Sequence, residues 1–219
     1  MIKKEDRRVE RTKETLRQTF KILVKEKGYS HVKVKDIVEK ANYNRTTFYV
    51  HYESKDELAA DVIHREMVDF EYEFCKPTRE NPLLDLTRMK PEGTDVFQYI
   101  GENRDYYDLL VMEDRIPHIQ EQLLKKIQYI FQNRMSFVSD QYAEINDSYF
   151  VQYRSYGIFG FIIEWIRNDY NASPSEMARR IINLLYIQSS LMIQLKDEEA
   201  IMKRKCLGRI SSTQHFECI

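Results

Sequence analysis

Apolar residues recur along the N-terminal stretch with the 3.6-residue period of an amphipathic helix. From Glu5 to Lys27 the positions Val9, Thr12, Leu16, Phe20, Leu23 and Val24 fall at helical spacing, and Gly28 follows as a C-terminal cap, which predicts a first long helix. Val34, Ile37, Val38 and Ala41 predict a second helix of about two turns, stopped near Asn42, a residue that tolerates the left-handed conformation. Asn44 is a good N-cap for a third short helix, Arg45 to Val50, and Ser54-Lys55-Asp56-Glu57 forms a capping box that opens a long fourth one. Pro77, Pro82, Pro91 and Gly93 then crowd a polar stretch that reads as a connection between modules. Beyond it, Asp95 to Met112 predicts one or two helices broken near Asn103, and Pro117, at a first-turn position, starts another running to about Val138. Asp147 to Asn168 is a further helix. Ser173-Pro174-Ser175-Glu176 supplies N-cap, N1 proline and N3 glutamate for a last helix reaching about Lys196. From Asp197 onward the chain is charged and then polar, as a frayed tail would be.

Composition agrees with an all-α fold. Gly (6) and Pro (5) are too scarce among 219 residues for the many turns of a sandwich or barrel, while 42% hydrophobic residues suffice for a core. The expected division is residues 1–56 as a helical reader, 57–196 as a larger helical domain and 197–219 as a polar tail. No stretch reaches the ~18 apolar residues of a membrane span, which gives the expectation of a cytoplasmic protein without a membrane partner. Cys75, Cys206 and Cys218 are too few and too scattered for a disulfide framework or a four-cysteine zinc site and read as reduced thiols.

Charge is unevenly placed. Residues 1–55 hold 15 Lys+Arg against 8 Asp+Glu, a balance of +7, and the remaining 19 against 27 leave −8 for the rest. A basic module beside an acidic one suits a partner that is a polyanion met at one end only, because counterion release drives such binding. The same charge also suits a solvated helix surface.

The helix, turn and helix over residues 34–51, braced by a longer helix before them, have the arrangement of a helix-turn-helix reader of double-stranded DNA. Val34, Ile37, Val38, Ala41, Tyr43 and Phe48 can close a small core, which leaves Arg45, Thr46, Thr47, Tyr49 and His51 for the major groove and its flanking phosphates. Asn44 and Lys55 stand where two helices begin, and backbone N–H groups there suit anionic oxygens. The plainer roles are a half-buried aromatic bracing the fourth helix for Tyr49 and a surface imidazole for His51.

Gly28-Tyr29, Val34 to Ile37, Ala41, Thr47-Phe48-Tyr49-Val50-His51-Tyr52 and Ser54-Lys55-Asp56-Glu57-Leu58 together resemble the TetR-family DNA-binding domain, over about residues 9 to 60. The resemblance implies an N-terminal three-helix helix-turn-helix domain followed by a larger helical ligand-binding and dimerisation domain, about nine helices in total. It implies phosphate contacts at Thr47, Tyr49, His51 and Lys55, and places Arg45 and Thr46 nearer base edges. Two positions depart from the family pattern. Lys33 stands where Thr often caps the second helix, at a cost of roughly 1 kcal/mol, and Asn42 stands where Gly often turns the chain. Lys33 is a further candidate for a phosphate.

In the larger module two helices carry long apolar faces. Phe150, Tyr153, Tyr156, Gly157, Gly160, Phe161 and Trp165 lie on one, Ile181, Leu184, Leu185, Gln188, Leu191 and Leu195 on the other. Gly157 and Gly160 each cost roughly 1 kcal/mol against Ala in a helix, so a close helix approach there is expected. The resemblance makes Tyr153, Gly157, Gly160, Phe161, Ile181, Leu184, Leu185, Gln188 and Leu191 a homodimer interface; an internal seam in a monomer is the alternative. Phe97, Tyr106, Tyr107, Leu110, Phe131 and Trp165 are candidates for lining a small-molecule effector pocket, with plain core packing as the competing role.

Catalysis is not expected. The chain has no phosphate-cradling glycine loop, no Gly-x-Ser-x-Gly elbow and no His-Glu-x-x-His, and its five histidines show no metal-ligand spacing, so neither metal nor cofactor is expected. The expected function is a dimeric transcriptional regulator, a repressor on a palindromic operator, with a protein-binding adaptor or co-activator of the same fold as the alternative.

Overall fold

The computed structural model describes residues 4–77, 95–134 and 148–194, with side chains described over 7–77, 96–134 and 148–184. The proline-punctuated connection beyond Pro77, the expected helix end at Val138, Leu195 and the tail lie outside the described residues, as do the side chains of Leu185, Gln188 and Leu191. Nine α-helices and no strand form among the described residues.

The reader comprises α1 (Lys4–Lys27), α2 (Val34–Lys40), α3 (Arg45–His51) and the start of α4 (Lys55–Phe74). Gly28 ends α1 at φ 82°, in the left-handed region. Asn42 ends α2 at φ 57°, and the Tyr43 N–H returns to the Val38 carbonyl at 2.8 Å, closing the turn. Lys33 offers no side-chain cap to α2. The Asp36 carboxylate reaches back instead and accepts the Lys33 N–H at 2.8 Å, so the orphan donor is satisfied from inside the helix.

α4 runs out of the reader into the larger domain, where α5 (Asp95–Glu102), α6 (Arg104–Tyr107), a 3₁₀ turn (Asp108–Leu110), α7 (Ile119–Asn133), α8 (Ser148–Arg167) and α9 (Pro174–Gln194) follow. It packs against α1, α5 and α7, while α7 lies on α8 and α5 on α9. One continuous buried cluster runs from Leu16 and Phe20 of α1 through Leu58, Val62 and Phe70 of α4 to Ile158 and Trp165 of α8. The break expected near Asn103 is present, with the Asn103 side-chain amide donating to the Tyr99 carbonyl at 2.8 Å.

Pro117 is not in a first helical turn. α7 begins at Ile119 with His118 as N-cap at φ 61°. Ile116 and Ile119 are both buried, and turning both inward uses a tight bend across Pro117-His118 before the helix can start. At the last helix the expected cap holds: the Ser173 hydroxyl accepts the Glu176 N–H at 3.2 Å. None of the described helices is long and apolar enough to cross a membrane.

Candidate nucleic-acid interface

α3 is held by its buried side. Phe48 and Tyr52 are closed off from solvent, and Ile37 and Val38 of α2 pack into the same small core. Asn44 caps the helix, its Oδ1 accepting the Thr47 N–H at 2.7 Å and the Thr47 hydroxyl at 2.9 Å. With the backbone so fixed, Arg45, Thr46 and Tyr49 point outward; Tyr49 is 56% exposed and meets Phe48 edge-on at 5.5 Å. The outward residues therefore stand on a rigid platform, as a groove reader needs.

The remaining candidates are less free. The Thr47 hydroxyl is committed to the cap. His51 is half-buried, and burial with Lys13 nearby lowers its pKa, which favours the neutral imidazole. Lys55 donates to the Tyr29 carbonyl at 2.9 Å and lies 4.0 Å above the Tyr29 ring, bracing the α1–α2 turn onto α4. Lys33 is exposed. The α4 start is capped by Ser54, whose hydroxyl accepts the Glu57 N–H at 3.1 Å, while Glu57 accepts the Glu53 N–H at 2.5 Å.

Sequence spacing missed Lys13. It lies on α1, far from α3 along the chain, yet stands over the Tyr52 ring at 5.3 Å and close enough to His51 to depress its pKa. Arg7, Arg8 and Arg11 are also exposed on α1, on other sides of the helix from Lys13. Only the packing of α1 across α4 discloses that Lys13 flanks the end of α3.

A second feature joins the reader to the larger domain. Asp114 accepts the Ser30 hydroxyl at 2.6 Å and the Ser30 N–H at 3.0 Å, bonds that hold its carboxyl below the usual range, and its backbone carbonyl accepts the Tyr29 N–H at 3.0 Å. A Cβ on Gly28 would stand 2.3 Å from the Asp114 carboxylate, so glycine serves both the left-handed turn and this close approach.

The six residues expected to line an effector pocket are all buried, and they pack in separate groups. Phe97 meets Trp165 at 5.7 Å, Tyr106 meets Tyr107 at 5.2 Å, and Phe131 meets Phe74 at 5.8 Å; Leu110 is fully buried. The Trp165 indole N–H donates to the Ala172 carbonyl at 3.0 Å. A cleft of about 700 Å³ opens elsewhere, between α4 and α7, and none of the six lines it.

The faces of α8 are also divided. Phe161 and Trp165 turn inward onto Phe97, whereas Tyr149, Tyr153 and Tyr156 are 80%, 59% and 57% exposed. Gly157 and Gly160 sit on the outer side, where an added Cβ would meet nothing within 4 Å. Leu184 of α9 is exposed and Ile181 is buried. The close helix approach expected at the two glycines does not occur among the described residues.

The family model described as bacterial regulatory proteins, tetR family, matches residues 21–62, and one described as transcriptional regulator C-terminal region matches residues 90–186. The chain belongs to the TetR family. Among curated relatives it is 24% identical over 191 residues to the uncharacterized HTH-type transcriptional regulator YxbF of Bacillus subtilis (strain 168), covering 87% of this chain and 48% of that one. It is 24% identical over 182 residues to DhaS of Lactococcus lactis subsp. lactis (strain IL1403), an HTH-type activator of the dhaKLM operon, covering 81% of this chain and 90% of that one. The chain thus spans about half the length of the first relative. Two solved structures share the fold: a TetR transcriptional regulator from Streptococcus agalactiae 2603V (TM-score 0.57, 20% identity, 82% of this chain and 96% of that one) and the dihydroxyacetone kinase operon activator DhaS (TM-score 0.56, 20% identity, 82% and 97%). Within this TetR-family frame, residues 21–62 contain all of α2 and α3 and most of the candidate DNA-contacting side chains.

Proposed function

We propose that this TetR-family chain binds a palindromic DNA operator in the cytoplasm as a homodimer, with its affinity set by a small-molecule effector. The observation that carries the proposal is the rigidly capped α3 with Arg45, Thr46 and Tyr49 exposed on it, with Lys13 of α1 packed beside its C-terminal end and Lys33 exposed at the start of α2. Arg45 and Thr46 read base edges. Tyr49, Lys33 and Lys13 take phosphates, with His51 as a neutral donor, Asn44 and Thr47 fixing the start of α3 and Lys55 bracing the α1–α2 turn. Two readers one B-DNA turn apart, about 34 Å, match two half-sites of a palindrome.

The exposed stripe Tyr149, Tyr153, Tyr156, Gly157 and Gly160 of α8, together with exposed Leu184 on α9, supports the dimer: large apolar groups and bare helix backbone suit close packing against a second copy. Occlusion of a promoter by such a dimer makes the regulator a repressor. DhaS, similar in sequence and fold, is an operon activator, so the sign of regulation is a direct object of test.

Selection of random duplexes by the purified protein tests the proposal. A palindrome with half-sites one helical turn apart, bound by a species of twice the subunit mass in sedimentation, is the expected result, and a reporter placed behind that site gives the sign. Absence of duplex affinity at low salt with a dimer intact would favour the adaptor function, and a monomer would remove the dimer.

A further inference from the structure

We propose that the cleft between α4 and α7 is a ligand site for an amphipathic anion with a flat aromatic body. Its volume, about 700 Å³, suits a small organic molecule. Its floor is apolar, from Ile63 and Met67 of α4 and Ile116 of the loop before α7, and tyrosine rings stand at its edges, Tyr29 from the reader and Tyr129 from α7. Apolar floor and aromatic edges favour a planar hydrocarbon body.

The charges choose the sign of the head group. Glu71 accepts from Lys126 at 2.8 Å and from Arg134, which stands outside the lining, at 2.9 Å, so two cations against one carboxylate leave that end of the cleft with one positive charge in surplus. Lys126 and Arg134 both lie over the Tyr129 ring, 5.3 and 5.6 Å from its centroid. Lys125 leans on Glu121 at 2.6 Å, an exposed pair four residues apart, which gives up its ammonium at little cost. Glu71 is neutralised by its two cations, whereas Asp56, which accepts from the Tyr29 hydroxyl and keeps its charge, stands about four turns of α4 away at the reader end of the lining. At the Glu71 end, what is left for a ligand is apolar surface and positive charge.

The cleft also touches the joint between the modules. Tyr29 is in its wall, and its N–H is held by the carbonyl of Asp114, two residues before Ile116. A ligand between Tyr29 and Ile116 therefore acts on the contact that sets the reader against the larger domain. The regulatory meaning of the cleft rests on the effector-responsive function proposed above; its occupancy does not.

Titration of the full chain with 8-anilinonaphthalene-1-sulfonate, an aromatic anion, by calorimetry and fluorescence tests the assignment, with uncharged N-phenyl-1-naphthylamine as its counterpart. One saturable sulfonate site per subunit is expected, weakened at least tenfold by Ala60→Trp, which fills the cleft from an exposed lining position, and unaltered by Val68→Ser, an exposed position of α4 outside the cleft. Lys125→Glu weakens the sulfonate at least tenfold and the neutral compound less than twofold. Equal affinity in the wild type and Ala60→Trp, or no saturable site, overturns the cleft; equal sensitivity of both probes to Lys125→Glu overturns the anion. Anisotropy of a labelled duplex without any probe reports the DNA function separately, so its failure leaves the binding curves to decide the cleft.

Discussion

The cations of the reader face two ways and meet different fates. On the side toward the larger domain, Lys21 is buried against Asp105 at 2.5 Å and Lys25 pairs with Asp108 at 2.5 Å, while Arg17 is buried among Glu10, Glu14 and Asp61. On the other side, Arg45 and Lys33 are exposed on a capped platform, and Lys13 is half-buried beside it. A surplus of +7 over residues 1–55 is therefore not the charge offered to DNA. Part of it is spent internally, fastening α1 to the acidic segment 104–114, and the outward remainder is what a duplex meets. The same residue types build a joint on one face and a reading surface on the other, separated only by what packs against them.

The joint and the surface can be broken separately. The largest effect belongs to the platform beneath both: Phe48→Ala removes a fully buried ring and costs about 3–5 kcal/mol, so urea unfolding shows a lower midpoint and DNA affinity falls with the folded fraction. Full stability in Phe48→Ala would show that α3 is held by something other than this core.

Next is Glu66, buried in α4 where the joint meets the domain. Burial raises its pKa to about 7 despite the Tyr99 hydroxyl at 2.7 Å; Lys21, Asp105, Asp69, Tyr106 and Tyr107 also act electrostatically on this node. Among the described residues the Tyr106 hydroxyl is buried without a hydrogen-bond partner, and the buried Tyr107 hydroxyl is turned toward Glu66. Between the unfolded carboxyl pKa and about 7 the folded chain binds the extra proton, so stability is highest at the acid end of that window, falls as pH rises through it, and is level above it. Glu66→Gln abolishes this slope and raises stability above pH 7 by up to about 3 kcal/mol. Unfolding curves taken from pH 5 to 8 that run parallel in wild type and variant would count against the buried charge.

Lys21→Ala and Arg45→Ala then form an opposed pair. The first costs about 1–2 kcal/mol of stability, less than a fully buried pair because Asp105 keeps half its exposure, and leaves the DNA affinity of the folded protein unchanged. The second leaves stability within about 0.5 kcal/mol and costs about 1–3 kcal/mol of operator affinity, with relaxed choice at one base pair. If the two variants exchange these phenotypes, the division of α1 and α3 into joint and surface is wrong. The smallest effect is Asp36→Ala, which removes the carboxylate that satisfies the Lys33 N–H, at about 1 kcal/mol of stability in a thermal melt.

Local chemistry was legible along the chain because its causes are local. Asn42 turns left-handed, Asn44 and Ser173 cap their helices, Ser54 caps α4, and Asn103 breaks one, each as its side-chain chemistry requires. Pro117 stays outside the helix because burial of Ile116 and Ile119 sets that boundary more strongly than the preference of proline for a first turn. The apolar spacing on α8 did not reveal that its residues divide between an inner face at Phe161 and Trp165 and an outer one at Tyr153 and Tyr156, since periodicity counts apolar positions without saying what covers them.

By itself the sequence determined the helices, their caps, the reader's platform and the family, all of which depend on residues a few positions apart. Tertiary structure alone decided which cations remain available, because Lys21 and Asp105, Ser30 and Asp114, and Lys13 and His51 meet only when α1 is laid across α4 and the segment 104–114. An ion pair or a cleft is a property of distance in space, and the chain order of these residues carries no trace of it.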